Sequence, residues 1–234
     1  MTELKPYPEY KNSGVDWSTS CPSTWQVMRL GRIVELSSGE PLTGVDIDPI
    51  GEFPVFGAGG FRGYTDRFTH SGEYPLVGRV GALCGNVRLA RGRFFATEHA
   101  LIASPRVPVD VRWLTSMLET MNLGQYSQAA AQPVIASERL SKVAALYPPI
   151  DDQVAIGDFL DRETAEIDAF IAGQEQLIEL LTERRAATIS HAVTKGLDPT
   201  VPMKDSGIEW LGAIPESWET SCSSYGRCDQ RGVS

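Results

Sequence analysis

The hydrophobic pattern changes its period near residue 147. Before that point, apolar residues come in short runs broken by glycine, proline or asparagine, as in "FPVFGAGG", "YPLVGRVGALCGNVRLA" and "RFFATEHALIAS". Short runs rich in β-branched and aromatic residues and bounded by turn formers predict β-strands. The glycines at Gly57, Gly59, Gly60, Gly63, Gly78, Gly81 and Gly85 predict tight turns, or backbone that something approaches closely. One stretch has the helical period instead: "DVRWLTSMLETMNLG" places Val111, Leu114, Met117, Leu118 and Met121 on one face, with Gly124 as the expected C-cap. The region reads as an α/β or mainly-β globule with a helix or two packed on it.

"YPPIDDQ" ends that pattern. The two prolines stop the preceding segment, and the Asp pair supplies N-cap and first-turn charge for a new helix. From Asp152 to about Thr194 no proline occurs, and only Gly157 and Gly173 weaken the helix. Apolar side chains recur at Ile156, Leu160, Ile167, Phe170 or Ile171, Leu177 or Ile178, and Leu181, a period of about 3.5 to 3.6. Arg184 and Arg185 suit the final turns, and Gly196 the stop. Some 43 helical residues span roughly 65 Å, longer than a compact domain of this size is wide. The stripe therefore predicts a partner helix.

The chain also repeats itself. "KNSGVDWSTSCPSTWQ" near the start aligns without a gap on "KDSGIEWLGAIPESWE" near the end, at an offset of 193 residues. Lys11, Ser13, Gly14, Trp17, Pro22 and Trp25 fall on Lys204, Ser206, Gly207, Trp210, Pro215 and Trp218. The first copy continues "VMRLGRIVEL", apolar and strand-like, whereas the second ends in the polar "TSCSSYGRCDQRGVS". The expectation from that contrast is a shifted reading frame just after Glu219, leaving half of a longer ancestor. A C-terminal extension would look the same.

Composition refines this picture in two places. Over all 234 residues the net charge is −9, which at first argues against a nucleic-acid partner. The average conceals a polarity. Between Phe61 and Arg112 the cations are Arg62, Arg67, Arg79, Arg88, Arg91, Arg93, Arg106 and Arg112, all arginine, opposed only by Asp66, Glu73, Glu98 and Asp110. From Asp151 to His191 acidic residues dominate, so the chain joins a basic region to an acidic one. Hydrophobic content of 42% is ordinary for a globular protein, no apolar run is long enough to span a membrane, and the N-terminus lacks a signal-peptide core. The four cysteines, Cys21, Cys84, Cys222 and Cys228, form no C-x-x-C pair or zinc set, which predicts free thiols in a reducing cytoplasm.

Catalytic chemistry is hard to find. "VFGAGGFRGY" lacks the Lys-Ser/Thr pair of a phosphate loop and the G-x-G-x-x-G spacing, so a glycine-rich hairpin turn is the expectation. "LYPPI" puts Tyr147 where an amino-methyltransferase needs an amide or carboxylate before its prolines. Glu3-Leu4-Lys5 and Glu9-Tyr10-Lys11 have no acidic partner ahead of them for a nuclease metal. His70, His99 and His191 stand singly, with no ligand cluster beyond Glu98. What remains is arginine among aromatic and polar residues on strands and loops: Phe61, Arg62, Tyr64, Arg67, Arg79, Asn86, Arg88, Arg91, Arg93 and His99. Arginine clamps phosphates and reads guanine edges, and asparagine reads adenine. A solvated basic face is the bland alternative.

These stretches together resemble the specificity (S) subunit of type I restriction–modification enzymes. The resemblance rests on "PVFGAGGFRGYTDRF", "GEYPLVGRVGALCGNV", "ATEHALIA", the helical run "PPIDDQVAIGDFLDRETAEIDAFIAGQEQLIELLTERRAATISHAVTKGLD" and "KDSGIEWLGAIPESW", covering most of residues 11–219. It implies an α+β fold: a globular target recognition domain of short strands with a few helices over residues 1–148 (first repeat copy at 11–26), then one long helix over 149–196 that pairs as an antiparallel coiled coil. Residues 197–234 would hold a linker, the start of a second repeat (204–219) and an atypical tail. The family's subunits carry two recognition domains held apart by two such helices, and this chain carries one of each.

A half subunit can recover the missing partner from a second copy, through Ile156, Leu160, Ile167, Ile171, Leu177, Ile178 and Leu181. The resemblance further implies a protein that itself catalyses nothing, binds double-stranded DNA, and is joined by methyltransferase (M) and restriction/translocase (R) subunits. Cofactors are expected to be none, since S-adenosylmethionine, ATP and Mg would belong to those partners. The expected location is cytoplasmic, with no membrane partner. Two other classes stand beside this one: the recognition fragment of a fused restriction–methyltransferase enzyme, and a coiled-coil adaptor that binds no DNA.

Overall fold

The structure, a computed structural model, describes residues 6–128 and 133–220. Glu3 to Lys5, Cys222, Cys228 and nearly all of the polar tail, with the frame-shift expectation attached to it, lie outside the described residues. The chain divides into two compact units, residues 1–162 and 163–234.

In the first unit the opening repeat is a hairpin of β1 (Tyr10–Val15) and β2 (Ser18–Pro22), followed by β3 (Gln26–Arg29), a short helix α1 (Leu30–Ile33) and β4 (Val34–Ser38). The strand-like run "VMRLGRIVEL" is thus not one strand. Leu30 and Ile33 are both fully buried, and a helical turn is what brings residues three apart to one side of the core. Next come β5 (Phe53–Gly57), β6 (Gly60–Thr65), β7 (His70–Gly78), β8 (Val87–Ala96) and β9 (Ala100–Pro105). They form, with β4, a six-stranded mixed sheet in the order β4-β9-β7-β8-β5-β6, in which only β5 and β8 run parallel. The glycine-rich stretch is the β5–β6 hairpin and no helix follows it.

One face of this sheet is covered by α2 (Val111–Thr120) and α3 (Ser137–Ser141). Helix α2 is capped by Asp110, whose carboxylate accepts from the backbone N–H of Arg112 at 2.9 Å and of Trp113 at 3.1 Å. Its buried Trp113, Leu114, Met117 and Leu118 meet Val34, Leu36, Val77, Val87 and Leu101 in the main core. Gly124 does not end this helix. The left-handed residue is Asn122, at φ 46°, and Gly124 lies in the 3-10 turn beyond it. Asparagine tolerates that conformation better than other side-chain-bearing residues, so the chain reverses two residues earlier than the glycine suggested.

On the other face the sheet curls onto itself. Gly72 and Gly92 lie opposite each other in the β7–β8 ribbon with φ of 131° and 77°, conformations that break the pleat and that side chains resist. The consequence is a closure. The N–H of Gly78 donates to Asn86 O at 2.8 Å, Gly78 pairs with Ala100, and the N–H of Ala100 donates to Thr97 O at 2.9 Å. An extended strand would hold Asn86 and Thr97 roughly 36 Å apart. Inside the curl sit Leu76, Ala90, Phe94, Ala96 and Ile102, with Phe56 and Tyr74 packed against them. His70 stacks on Phe94 at 5.6 Å, and burial pushes its imidazole pKa down, against the opposing charge of Glu40.

β10 (Ala144–Tyr147) pairs with β3, and Pro148 and Pro149 then lead into α4 (Ile150–Lys195), with Asp151 and Asp152 in its first turn. In the second unit the rest of α4 is almost wholly exposed and ends at Gly196, φ 78°. It is followed by the hairpin of β11 (Met203–Asp205) and β12 (Ala213–Pro215).

The two repeat copies share one hairpin register and several of the same hydrogen bonds. Tyr10↔Pro22, Lys11↔Cys21 and Asn12↔Ser20 recur as Met203↔Pro215, Lys204↔Ile214 and Asp205↔Ala213. The N–H of Gly14 donates to Asn12 Oδ1 at 2.9 Å, and that of Gly207 to Asp205 Oδ1 at 3.0 Å. Val15 to Ser13 Oγ and Ile208 to Ser206 Oγ are both 3.2 Å. The difference lies in what covers them. Trp17 donates its indole N–H to Ala144 O at 3.2 Å, whereas its counterpart Trp210 is 82% exposed.

Candidate nucleic-acid interface

The curl of the sheet sorts the ten candidate residues into two groups. The first surrounds the β5–β6 turn. A β-carbon on Gly57 would lie 2.8 Å from Arg62 Cδ, and one on Gly60 3.8 Å from Arg88 Nε, so both arginines flank the turn. Gly78 packs on Ala58 so tightly that a β-carbon there would meet its carbonyl oxygen at 2.4 Å, which seats Arg79 beside the same turn. Arg79 donates through Nη1 to Ser38 Oγ, and its backbone N–H to His99 O at 2.9 Å. Asn86 is held in the loop before β8 by its backbone bonds to Leu83 and Gly78. Phe61, 56% exposed, contacts Phe56 and Tyr64 with ring centroids 6.3 and 5.1 Å apart.

The second group lies on other contacts. Arg67 is over the Phe95 ring and Arg93 over the Phe68 ring, each at 5.2 Å. Arg91 meets Glu73 at 3.4 Å. His99 in the first group is likewise paired, its Nε2 3.3 Å from Glu98 Oε1. Among the described residues, Arg62, Arg67, Arg79, Arg88 and Arg93 have no carboxylate within ion-pair distance. A guanidinium without an internal counter-charge is available to a phosphate or a base edge, and three of these share one glycine turn. Glycines there let a foreign backbone come close.

Two residues of this region escaped sequence reasoning. Ser38 orients Arg79, and Thr97 is fully buried beside Arg62, its Oγ1 without a hydrogen-bond partner among the described residues. Neither carries a signal in the sequence, because each matters only through a neighbour distant along the chain.

The helix stripe also divides. Ile156 is half-buried against the main core, and Leu160 lines a groove of about 480 Å³ with Tyr7, Tyr10, Trp25 and Phe159. These two are therefore already in contact with their own unit. Ile167, Ile171, Leu177, Ile178 and Leu181 are between 47% and 65% exposed. Five large apolar side chains on one exposed helix leave a surface that water disfavours.

Residues 22–180 match the family described as type I restriction modification DNA specificity domain. Over 137 residues the chain is 39% identical to the type I restriction enzyme EcoprrI specificity subunit of Escherichia coli, an alignment covering 57% of this chain and 34% of that protein. By fold it is similar to the type I restriction–modification S subunit from M. genitalium, with a TM-score of 0.56 at 21% identity over 73% of this chain and 46% of that one. A chain from a structural account of complex assembly and conformational transition in the type I R-M system gives a TM-score of 0.62 at 18% identity, over 80% and 49%. The chain thus spans about a third of the curated relative and about half of the solved ones.

Proposed function

The chain belongs to the type I restriction modification DNA specificity domain family, and from that premise we propose that it is the non-catalytic DNA-reading and scaffold part of a type I restriction–modification enzyme. The observation that carries this reading is the set of Arg62, Arg79 and Arg88 around one glycine turn, without carboxylate partners among the described residues. Residues 1–148 take the part of the recognition domain, and the helix that of a spacer. Methyltransferase and restriction/translocase subunits dock on this framework in the cytoplasm and bring S-adenosylmethionine, ATP and Mg with them.

The working form is a homodimer of half subunits. The exposed apolar side chains from Ile167 to Leu181 support it, as does the recurrence of the opening hairpin after the helix. Two antiparallel helices related by a two-fold axis present one domain twice, so the DNA target is an interrupted palindrome with a fixed gap.

The test is to express the chain with a methyltransferase partner and map methylated bases genome-wide. Identical inverted half-sites at one spacing are the expected result. Shortening α4 by seven residues, about 10 Å, should remove roughly three base pairs from the gap or abolish activity. An asymmetric or undivided motif would overturn the homodimer reading.

A further inference from the structure

We propose that Leu83 is a base-reading residue whose side chain packs on the C5-methyl group of a thymine in the major groove. The proposal rests on the DNA-reading role put forward above and adds to it an apolar contact beside the arginines.

Leu83 is held outward by a closely pinned loop. It is 52% exposed, yet the loop from Gly78 to Asn86 leaves it little freedom. The N–H of Cys84 donates to Gly81 O at 3.0 Å and that of Asn86 to Leu83 O at 3.1 Å, so two successive turns overlap on Leu83. The N–H of Gly85 donates to Gly78 O at 2.7 Å, and that of Gly81 to Pro133 O at 3.0 Å. Gly85 lies so close to the turn after α2 that a β-carbon on it would meet Gly124 N at 2.0 Å. Cys84, the next residue along from the leucine, packs against the main core. A loop fixed by these contacts cannot fold its leucine away from solvent.

Beneath the leucine is the glycine turn between β5 and β6. A β-carbon on Gly59 would lie 2.7 Å from Leu83 Cδ1. One on Gly78 would lie 2.5 Å from Leu83 O and 2.4 Å from Ala58 O. Leu83 thus rests on the turn that Arg62 and Arg88 flank, four residues after Arg79 and three before Asn86.

Charge selects the occupant. Arg62, Arg79 and Arg88 have no carboxylate within ion-pair distance among the described residues, so this turn draws a polyanion. Closing a protein partner over it would bury guanidinium groups without counter-charges, which is costly. Phosphates supply those counter-charges. The base edges of the major groove otherwise offer hydrogen-bond donors and acceptors, which a leucine cannot use. The thymine methyl is the apolar group among them, and it matches an apolar tip set among arginines.

The experiment measures duplex binding by the full chain with its methyltransferase partner, using fluorescence anisotropy on the target found by methylation mapping. Each thymine is replaced in turn by deoxyuridine, which removes the C5-methyl and keeps the hydrogen-bonding edge. At one position wild type should bind about fourfold more weakly, the effect of losing one buried methyl-sized group. Leu83→Ala should bind the thymine duplex about as weakly and be indifferent to that replacement. Leu83→Met, apolar and of similar size, should keep the preference. The wild-type uracil series stands even if a variant fails to fold. A wild type that responds at no thymine overturns the proposal, and so does a response that survives in Leu83→Ala, which gives the methyl to another side chain. Weaker binding by Leu83→Ala without a uracil effect in wild type also overturns it, since that marks a wedge between base pairs. A target without an A·T pair does the same. Wild type that prefers no DNA sequence over another overturns the functional reading itself.

Discussion

The indole N–H of Trp25 donates to Asp152 Oδ2 at 2.9 Å, joining the first repeat copy to the first turn of α4. Tyr7 packs edge-on to Trp25 at 6.0 Å, and burial together with the nearby Asp152 carboxylate raises its phenol pKa. Trp25→Phe keeps most of the packing and removes a hydrogen bond to a charged group, which should cost about 1–3 kcal/mol in urea denaturation. Trp218, its counterpart in the second copy, has no such bond among those recorded for the described residues, and Trp218→Phe should stay within about 0.5 kcal/mol of wild type. Equal losses at both positions would refute the role given to Asp152.

Salt dependence should separate the arginines. Arg62→Ala, Arg79→Ala and Arg88→Ala are each expected to reduce the slope of log affinity against log salt by about one where the residue holds a phosphate. An arginine that reads a base should instead cost roughly 1–3 kcal/mol and relax specificity at one position. Arg91, paired with Glu73, should matter less. Fluorescence anisotropy with duplex DNA measures both quantities. Three variants indistinguishable from wild type would remove the assignment.

Self-association should depend on the exposed part of α4. Ile167→Asp combined with Ile171→Asp places two charges in the proposed seam, and dimers should vanish in sedimentation velocity at micromolar concentration. Ile156→Asp should behave differently, since Ile156 packs against the main core: it should lower stability as well as association. A wild-type monomer at near-neutral pH would sink the idea.

Acid should weaken first the joint between α2 and α4, where Arg112 bonds Asp110, Asp158 and Asp161. Burial works against ionisation of Asp110, yet the Arg112 guanidinium and the amides of Trp113 and Arg112 hold its carboxyl below the ordinary 3.8. Because the folded value is depressed, the unfolded chain takes up the proton first as pH falls. The stabilisation is therefore complete above about 3.8 and is lost as pH drops through the lower folded value. Wild type should unfold at higher urea than Asp110→Asn at about pH 6, and the two curves should converge below the folded pKa. A difference that stays constant down to acid pH would show that the carboxylate charge is irrelevant to the joint.

Much of the architecture was legible because it depends on neighbours in sequence. The strand runs, the proline stop before α4 and the glycine after it were readable from period and turn chemistry, and the repeat was readable as a repeat, though not as the hairpin that each copy forms. Reading failed where burial outweighed local preference. "VMRLGRIVEL" looks like a strand, but Leu30 and Ile33 share one side of the core only if the chain makes a helical turn between them. Gly124 looks like a cap, but Asn122 takes the left-handed position.

The sequence by itself determined that the cations between Phe61 and Arg112 are all arginine and lie among aromatics, and that a long apolar stripe lies on a helix. Tertiary structure alone decided which of those residues work together. Arg62 and Arg88 flank the β5–β6 turn, and Gly78, the neighbour of Arg79, packs on Ala58 of the same turn, although these segments are distant in sequence. Arg112 holds Asp158 and Asp161 because Gly157 admits α2 to within contact of α4. Period and turn propensity are set by a few adjacent torsions, so they are written locally. A turn flanked by arginines from separate strands, or a three-carboxylate grip, exists only when distant segments pack, and the free energy that selects it belongs to the whole core.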